Sequence, residues 1–200
     1  MQTVGFDLDM TLVDSSQAIL LTTQKVLRSF NTEVDEEMIA RSVGLPIKES
    51  FKEWVGDQYL RAYESYVDHY QSVGYLNSHA LPGAQELLGE LVGQGTKVVV
   101  ITAKNRQSAE IQLRHLAIPY SELVGGAFQE GKTEAMLETG CVEYVGDHIE
   151  DYRAASKAGI HFIGVTTNPM QNLTKDSQGN FPLIESLENF WDYSVLKRIS

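Results

Sequence analysis

Short apolar runs alternate with stretches of helical spacing along most of the chain. Apolar runs occur at 3–8 (TVGFDL), 97–102 (KVVVIT), 122–128 (ELVGGAF), 142–147 (VEYVGD) and 161–167 (HFIGVTT), with a weaker sixth at 181–186 (FPLIES). Runs this short and continuous suit strands buried on both faces, as in a parallel sheet. Between them the period changes. Ala84, Leu87, Leu88 and Leu91 form one helical stripe, closed near Gly95. Ala109, Leu113 and Leu116 form a second, stopped before Pro119. Tyr152 and Ala155 form a third, with Gly159 as its C-terminal cap. Strand–helix alternation with short links predicts an α/β fold built on a Rossmann-like parallel sheet.

Residues 14–80 break that rhythm and hold no convincing strand. Ile19, Thr23, Val26, Leu27 and Phe30 keep helical spacing, Asp35 is placed to cap a second helix through Met38 and Ile39, and Tyr59, Tyr63, Tyr66, Val67 and Tyr70 make a third stripe closed by Gly74. The pattern predicts a Rossmann-like core (1–13 and 81–200) with a small all-helical cap (14–80) inserted after the first strand. An insertion there sits above the sheet edge where such folds bind ligands, the place for a lid. The tyrosine stripe is expected to be cap core.

Composition adds exclusions. The chain has 200 residues, 42% of them hydrophobic, enough for a sizeable core. A net charge of −11 works against nucleic acid and anionic membrane as partners, and gives no long-range pull on an anionic substrate. One cysteine, Cys141, excludes an internal disulfide framework and is expected to be inert packing. No apolar run approaches the roughly 18 residues of a membrane span, and no basic and apolar leader precedes the first strand, so a cytoplasmic protein is expected. The partner expected is a small molecule, with the chain as monomer or homodimer.

The polar residues that end the apolar runs change the picture most. The first run ends with Asp7 and Asp9, followed by Thr11; the second ends with Thr102. Lys132 follows the third at a helix start. The fourth ends in GDHIED, with Asp147 and then Asp151. In a parallel sheet these ends share one edge. Carboxylates brought that close repel each other, and burial adds to the cost. A hard cation with oxygen ligands would relieve the repulsion among Asp7, Asp9 and Asp147, and Lys132 would relieve more.

Those residues carry a resemblance. DLDMT, Thr102, Lys132 and GDHIED are similar, in order, to the four motifs of haloacid dehalogenase superfamily phosphatases, of the phosphoglycolate phosphatase-like group with a helical cap. LPGAQELLGEL (81–91), AASKAGI (154–160) and GLPIKESF (44–51) resemble family segments, the last a turn between cap helices. The resemblance implies a magnesium-dependent phosphatase acting on a small phosphate monoester through a phosphoaspartyl intermediate. Asp7 would be the nucleophile and Asp9 the acid and base. Lys132 would neutralise charge on Asp7 and the phosphoryl group. Thr11, Thr102 and the backbone N–H of Ala103 would serve substrate binding. The metal set would be Asp7, the main-chain carbonyl of Asp9, Asp147, and Asp151 through a water. Arg41 and Lys48, flanking the GLP turn, and Lys104 could meet an anionic leaving group, which would favour a phosphoglycolate-like ester. One departure stands out: the family usually has Gly where this chain has Met10, which fits if that residue avoids a positive φ.

Competing readings share the scaffold or the chemistry. A phosphosugar mutase of the β-phosphoglucomutase kind uses the same aspartates but often lacks the threonine at Thr11. A phosphonatase needs a cap lysine, for which Lys25, Lys48 and Lys52 are available. A true dehalogenase has no need of Asp9. A phosphoacceptor or binding module without turnover is the reading from another class. Metal ligation by His148 is not expected, because oxygen donors favour Mg²⁺. No G-x-G-x-x-G follows the first strand, which argues against dinucleotide binding.

Overall fold

The structure, a computed structural model, describes residues 2–170, 173 and 181–196. Positions 1, 171–172, 174–180 and 197–200, which fall in the expected core segments, lie outside the described residues. In chain order the strands are β1 (Thr3–Phe6), β2 (Val13–Asp14), β3 (His79–Ala80), β4 (Lys97–Thr102), β5 (Glu122–Gly125), β6 (Glu143–Gly146), β7 (His161–Val165) and β8 (Leu183–Ile184). The helices are α1 (Ser16–Ser29), α2 (Glu36–Arg41), α3 (Ile47–Val55), α4 (Tyr59–Ser72), α5 (Ala84–Gly93), α6 (Arg106–His115), α7 (Glu130–Thr139) and α8 (Ile149–Ala158).

Six strands form one parallel sheet in the order β5-β4-β1-β6-β7-β8. The chain leaves β1 for β4 and β5 on one side, then crosses back to β6 on the other. The order therefore reverses at β1, which is where open α/β sheets place a ligand crevice. Register aligns the edge. Phe6 lies opposite Val100 and Val145, so Asp7 leaves β1 about level with the end of β4 at Thr102 and with Asp147 just past β6.

The continuous apolar runs bury both faces. Val4, Phe6, Val98, Val100, Val145 and Ile163 pack on α5 and α6 through Leu87, Leu88, Leu91 and Leu113. Val99, Ile101, Tyr144 and Phe162 pack on α7 and α8 through Ala135, Met136, Ala154 and Ala155. Each fully buried aliphatic side chain contributes about 1.5–3 kcal/mol, which is why the strands are mostly apolar on both faces. Gly5 is required at the centre: a Cβ there would lie 2.6 Å from the Tyr144 ring.

Helices α1 to α4 bury a third cluster of their own. Ile19, Val26, Leu27, Ile39, Phe51, Tyr66 and Tyr70 meet there, with Tyr66 stacked on Tyr70 at 5.7 Å. Several local expectations are corrected. The sequence pattern shows no strand in 14–80, yet Asp14 pairs with His79 and Val13 with Ala80 in an antiparallel ribbon at the insertion's two ends. Strands of two residues have no period to read. Asp35 occupies the N-cap position of α2 without a side-chain capping bond. The third run ends at Gly125 rather than 128, because Gly126 turns at φ 75° toward α7. The fifth ends at Val165 and the sixth shrinks to Leu183–Ile184. Among the described residues no helix is long and apolar enough to cross a membrane.

Candidate active site

Asp7 is delivered by the last ladder bond of β1, its N–H donating to the Val145 carbonyl at 2.9 Å. Asp147 follows β6, and Asp151 lies in the first turn of α8. Oxygens of these three buried carboxylates lie within 4.8 Å of one another. Lys132, from the first turn of α7, donates to Asp7 Oδ1 at 2.7 Å and to Asp151 Oδ1 at 2.5 Å. Thr11 Oγ1 donates to Asp147 Oδ1 at 3.1 Å and Asn168 Nδ2 to its Oδ2 at 2.8 Å. Asp151 also accepts the His148 N–H at 3.2 Å, and the His148 ring accepts the Glu150 N–H, a reciprocal cap that starts α8. Gly146 leaves room for this carboxylate; a Cβ there would come within 2.5 Å of Asp151 Oδ2.

The charges do not balance. Three buried carboxylates face one ammonium. Burial drives the Asp7 carboxyl well above its usual range; Lys132 opposes this, but Asp151 and Asp147 add to it. Burial, reinforced by Asp151, pushes Asp147 up to about 7 against its bonds from Asn168 and Thr11. Burial alone would discharge Lys132, yet Asp151 and Asp7 outweigh it and hold the ammonium charged well above the usual lysine range. An all-oxygen donor set with surplus negative charge fits a hard divalent cation such as Mg²⁺, and Asp7, Asp147 and Asp151 are close enough together that they could hold one.

Asp9 sits in a second, separate arrangement. Its Oδ1 accepts from Ser15 Oγ at 2.5 Å and from Lys104 Nζ at 2.5 Å, while Oδ2 takes no bond from a described residue. Lys104 also donates to the Tyr70 hydroxyl at 2.8 Å and to Gln112 Oε1 at 2.6 Å. Asp9, Ala103 and Lys104 form the floor of a cavity of about 180 Å³ whose roof comes from α3, α4 and the turn before α3.

A model of the haloacid dehalogenase-like hydrolase family matches residues 4–165. The chain belongs to that family. Among solved structures of similar shape, a predicted phosphatase from Clostridium acetobutylicum is 26% identical with a TM-score of 0.80, covering 96% of each chain. A haloacid dehalogenase-like hydrolase from Bacteroides fragilis is 26% identical with a TM-score of 0.82, covering 94% of this chain and 99% of the other. Among curated relatives, the tyrosine-protein kinase PtkA of Mycobacterium tuberculosis is 27% identical over 179 residues, 82% of this chain. The chain spans 62% of that relative's length.

In this haloacid dehalogenase-like hydrolase, Asp7, Lys132, Asp147 and Asp151 converge. The Asp9 side chain stands apart from them. Four expectations change. Met10 adopts φ 62°, so the condition under which it would fit without strain is not met. Its N–H donates to the Val13 carbonyl at 2.7 Å, its carbonyl accepts from the Thr167 hydroxyl, and its side chain enters the core of α1–α4. These contacts offset a conformational cost of about 1–2 kcal/mol. Thr11, expected at the substrate, is fully buried and orients Asp147 instead. Arg41 is exposed, pairs with Glu37 at 2.5 Å and lines a different cleft from the cavity over Asp9. Lys104 is committed to Asp9, Tyr70 and Gln112. Lys48 and Ala103 do line the cavity. Thr102 is buried at its strand end, with its hydroxyl accepting the Lys104 N–H at 3.2 Å.

Sequence reasoning missed Asn168, Ser15, Tyr70 and Gln112. Asn168 was within reach of the rule that found the others, since it is the polar residue following the fifth apolar run. The sequence places Tyr70 in packing alone, because helical spacing reveals a buried ring but not what its hydroxyl meets.

Proposed function

We propose that the chain is a magnesium-dependent phosphatase hydrolysing a small phosphate monoester through a phosphoaspartyl intermediate. The observation that carries this reading is the cluster of Asp7, Asp147 and Asp151 around a single Lys132, beside an independently held Asp9. An Mg²⁺ ion held by the three carboxylates would supply positive charge that damps repulsion between Asp7 and an incoming phosphate. An Asp7 oxygen forms the new bond to phosphorus while the bond from phosphorus to the ester oxygen breaks. A carboxylate is a weak nucleophile, so holding it in line does much of the work. Lys132 does that holding through Oδ1 and keeps its positive charge beside the reacting centre. Asp9, in its protonated form, gives a proton from Oδ2, which takes no other bond from a described residue, to the departing oxygen. In the second step it takes a proton from the water that attacks the acyl phosphate, which releases phosphate and restores Asp7.

Ala103 N–H and the Thr102 hydroxyl, at the end of β4, are the donors proposed for the phosphate oxygens. Residues 14–80 are proposed to act as the cap over this site. A phosphoglycolate-like ester is proposed as the substrate.

The test is phosphate release from a panel of small esters, with and without Mg²⁺, beside Asp7→Asn. Metal-dependent release lost in the variant is expected; metal-independent release, or release surviving in the variant, overturns the reading. The relative named as a kinase motivates a second reading, in which Asp7 is a phosphoacceptor without turnover. Stoichiometric labelling without release would favour it, and isomerised sugar phosphate with little free phosphate would favour a mutase.

A further inference from the structure

We infer that Lys104 is a positioning residue for the proposed acid–base group: it aims the Asp9 carboxyl, and Tyr70 and Gln112 hold it in place to do so. The inference rests on the phosphatase reading and gives Lys104 a role through Asp9 rather than on the substrate.

A carboxyl group turns easily about the bond to its Cβ, and one contact does not fix its direction. Asp9 has two contacts on one oxygen. Ser15 Oγ and Lys104 Nζ both donate to Oδ1 at 2.5 Å, from 6 and 95 positions along the chain. These contacts serve the acid and the carboxylate alike, because Oδ1 accepts in both. A hydrogen on Oδ1 would face the Lys104 ammonium, which has donors only. The proton therefore belongs on Oδ2, the oxygen without a bond from a described residue, and Asp9 lines the cavity with Ala103 at the end of β4.

Lys104 is itself firmly held. Its N–H donates to Thr102 Oγ1 at 3.2 Å and its carbonyl accepts from the Gly126 N–H at 2.8 Å, which fixes its backbone just past β4. Its ammonium also donates to the Tyr70 hydroxyl at 2.8 Å and to Gln112 Oε1 at 2.6 Å. Gln112 adds an independent sign. It is fully buried on α6 between Ala109 and Leu113 of the core, and its Nε2 meets no hydrogen-bond partner among the described residues. An unpaired buried amide costs stability, and the contact retained in exchange is the one to Lys104. An ammonium has three donors, so with Asp9, Tyr70 and Gln112 as acceptors none is left over for a substrate group.

The experiment compares benzyl phosphate and 4-nitrophenyl phosphate on the intact chain at saturating Mg²⁺. Each leaving group carries a single uncharged ring. Benzyl alkoxide is strongly basic and needs a proton as it departs, whereas 4-nitrophenolate leaves without one. The ratio kcat/KM stops at cleavage of the ester bond, so the later attack of water does not enter. Lys104→Met is expected to lower kcat/KM roughly hundredfold on benzyl phosphate and no more than roughly tenfold on 4-nitrophenyl phosphate. In an Asp9→Asn background the same substitution is expected to change kcat/KM on benzyl phosphate by no more than about twofold. Tyr70→Phe keeps the ring and is expected to show the same selectivity at roughly threefold, and it carries the test should Lys104→Met fail to fold. An equal loss on the two esters overturns the inference, as does a loss undiminished in the Asp9→Asn background. Release from no ester by the parent chain removes the phosphatase reading itself, an outcome distinct from either.

Discussion

Two lysines of this chain are buried against aspartates, and their surroundings differ in one number. Lys104 meets one carboxylate, and its remaining donors end on a hydroxyl and an amide. Lys132 meets two carboxylates, with a third beside them. The first arrangement is closed: charge is balanced and every donor of the ammonium is used. The second is short of positive charge, and Asp7 and Asp147 are raised as a consequence. The same residue types thus make a balanced pair in one place and a cluster short of positive charge in the other. The count of carboxylates per ammonium decides which.

The strongest way to break this comparison is to remove the nucleophile. Asp7→Asn should lower kcat by roughly 10⁴-fold or more, measured as phosphate release, while circular dichroism shows the fold retained. Next is Lys132→Met, which leaves three carboxylates without an ammonium. It should cost roughly 10²–10³ in kcat, and its melting temperature should depend on Mg²⁺ more than that of the parent chain. A parent-like response to Mg²⁺ would argue against a shared charge cluster.

The comparison is sharpened by pH. Asp147 keeps its proton in the folded, metal-free chain up to about pH 7, whereas the unfolded chain releases it near the ordinary aspartate value. Between these values the folded state binds more protons, so this group lowers stability as pH rises from about 4 to 7. Mg²⁺ needs the ionised carboxylates and should reverse that loss. Its stabilisation, read by calorimetry, is therefore expected to be larger at pH 7.5 than at pH 5; a shift independent of pH would contradict the assignment. Smaller effects are expected outside the cluster. Met10→Gly relieves a left-handed residue but removes a buried side chain from the α1–α4 core, and the second effect is larger. A net loss of about 1–3 kcal/mol in denaturant titration is expected. Tyr70→Phe removes one of three bonds to Lys104 and leaves the ring, costing about 1 kcal/mol.

Much of this molecule was legible beforehand, and unevenly. The sheet was visible because strands buried on both faces are mostly apolar, and the polar residues ending those runs marked one edge. Asp7, Lys132, Asp147 and Asp151 followed from that rule. The rule was silent on Arg41, Lys48 and Lys104, which share a charge and differ only in their neighbours. Met10 shows the same limit, since a positive φ at a non-glycine residue depends on contacts from Val13 and Thr167 that no local pattern announces.

By itself the sequence determined the α/β alternation, the helical insertion and the identity of the acidic edge, because periodicity and strand ends are written residue by residue. Only the tertiary structure decided which ammonium meets which carboxylate, and so which site is short of charge and which is complete. Coulombic interactions and desolvation depend on distances between residues 95 and 125 positions apart, Asp9 with Lys104 and Asp7 with Lys132, and the fold alone sets those distances.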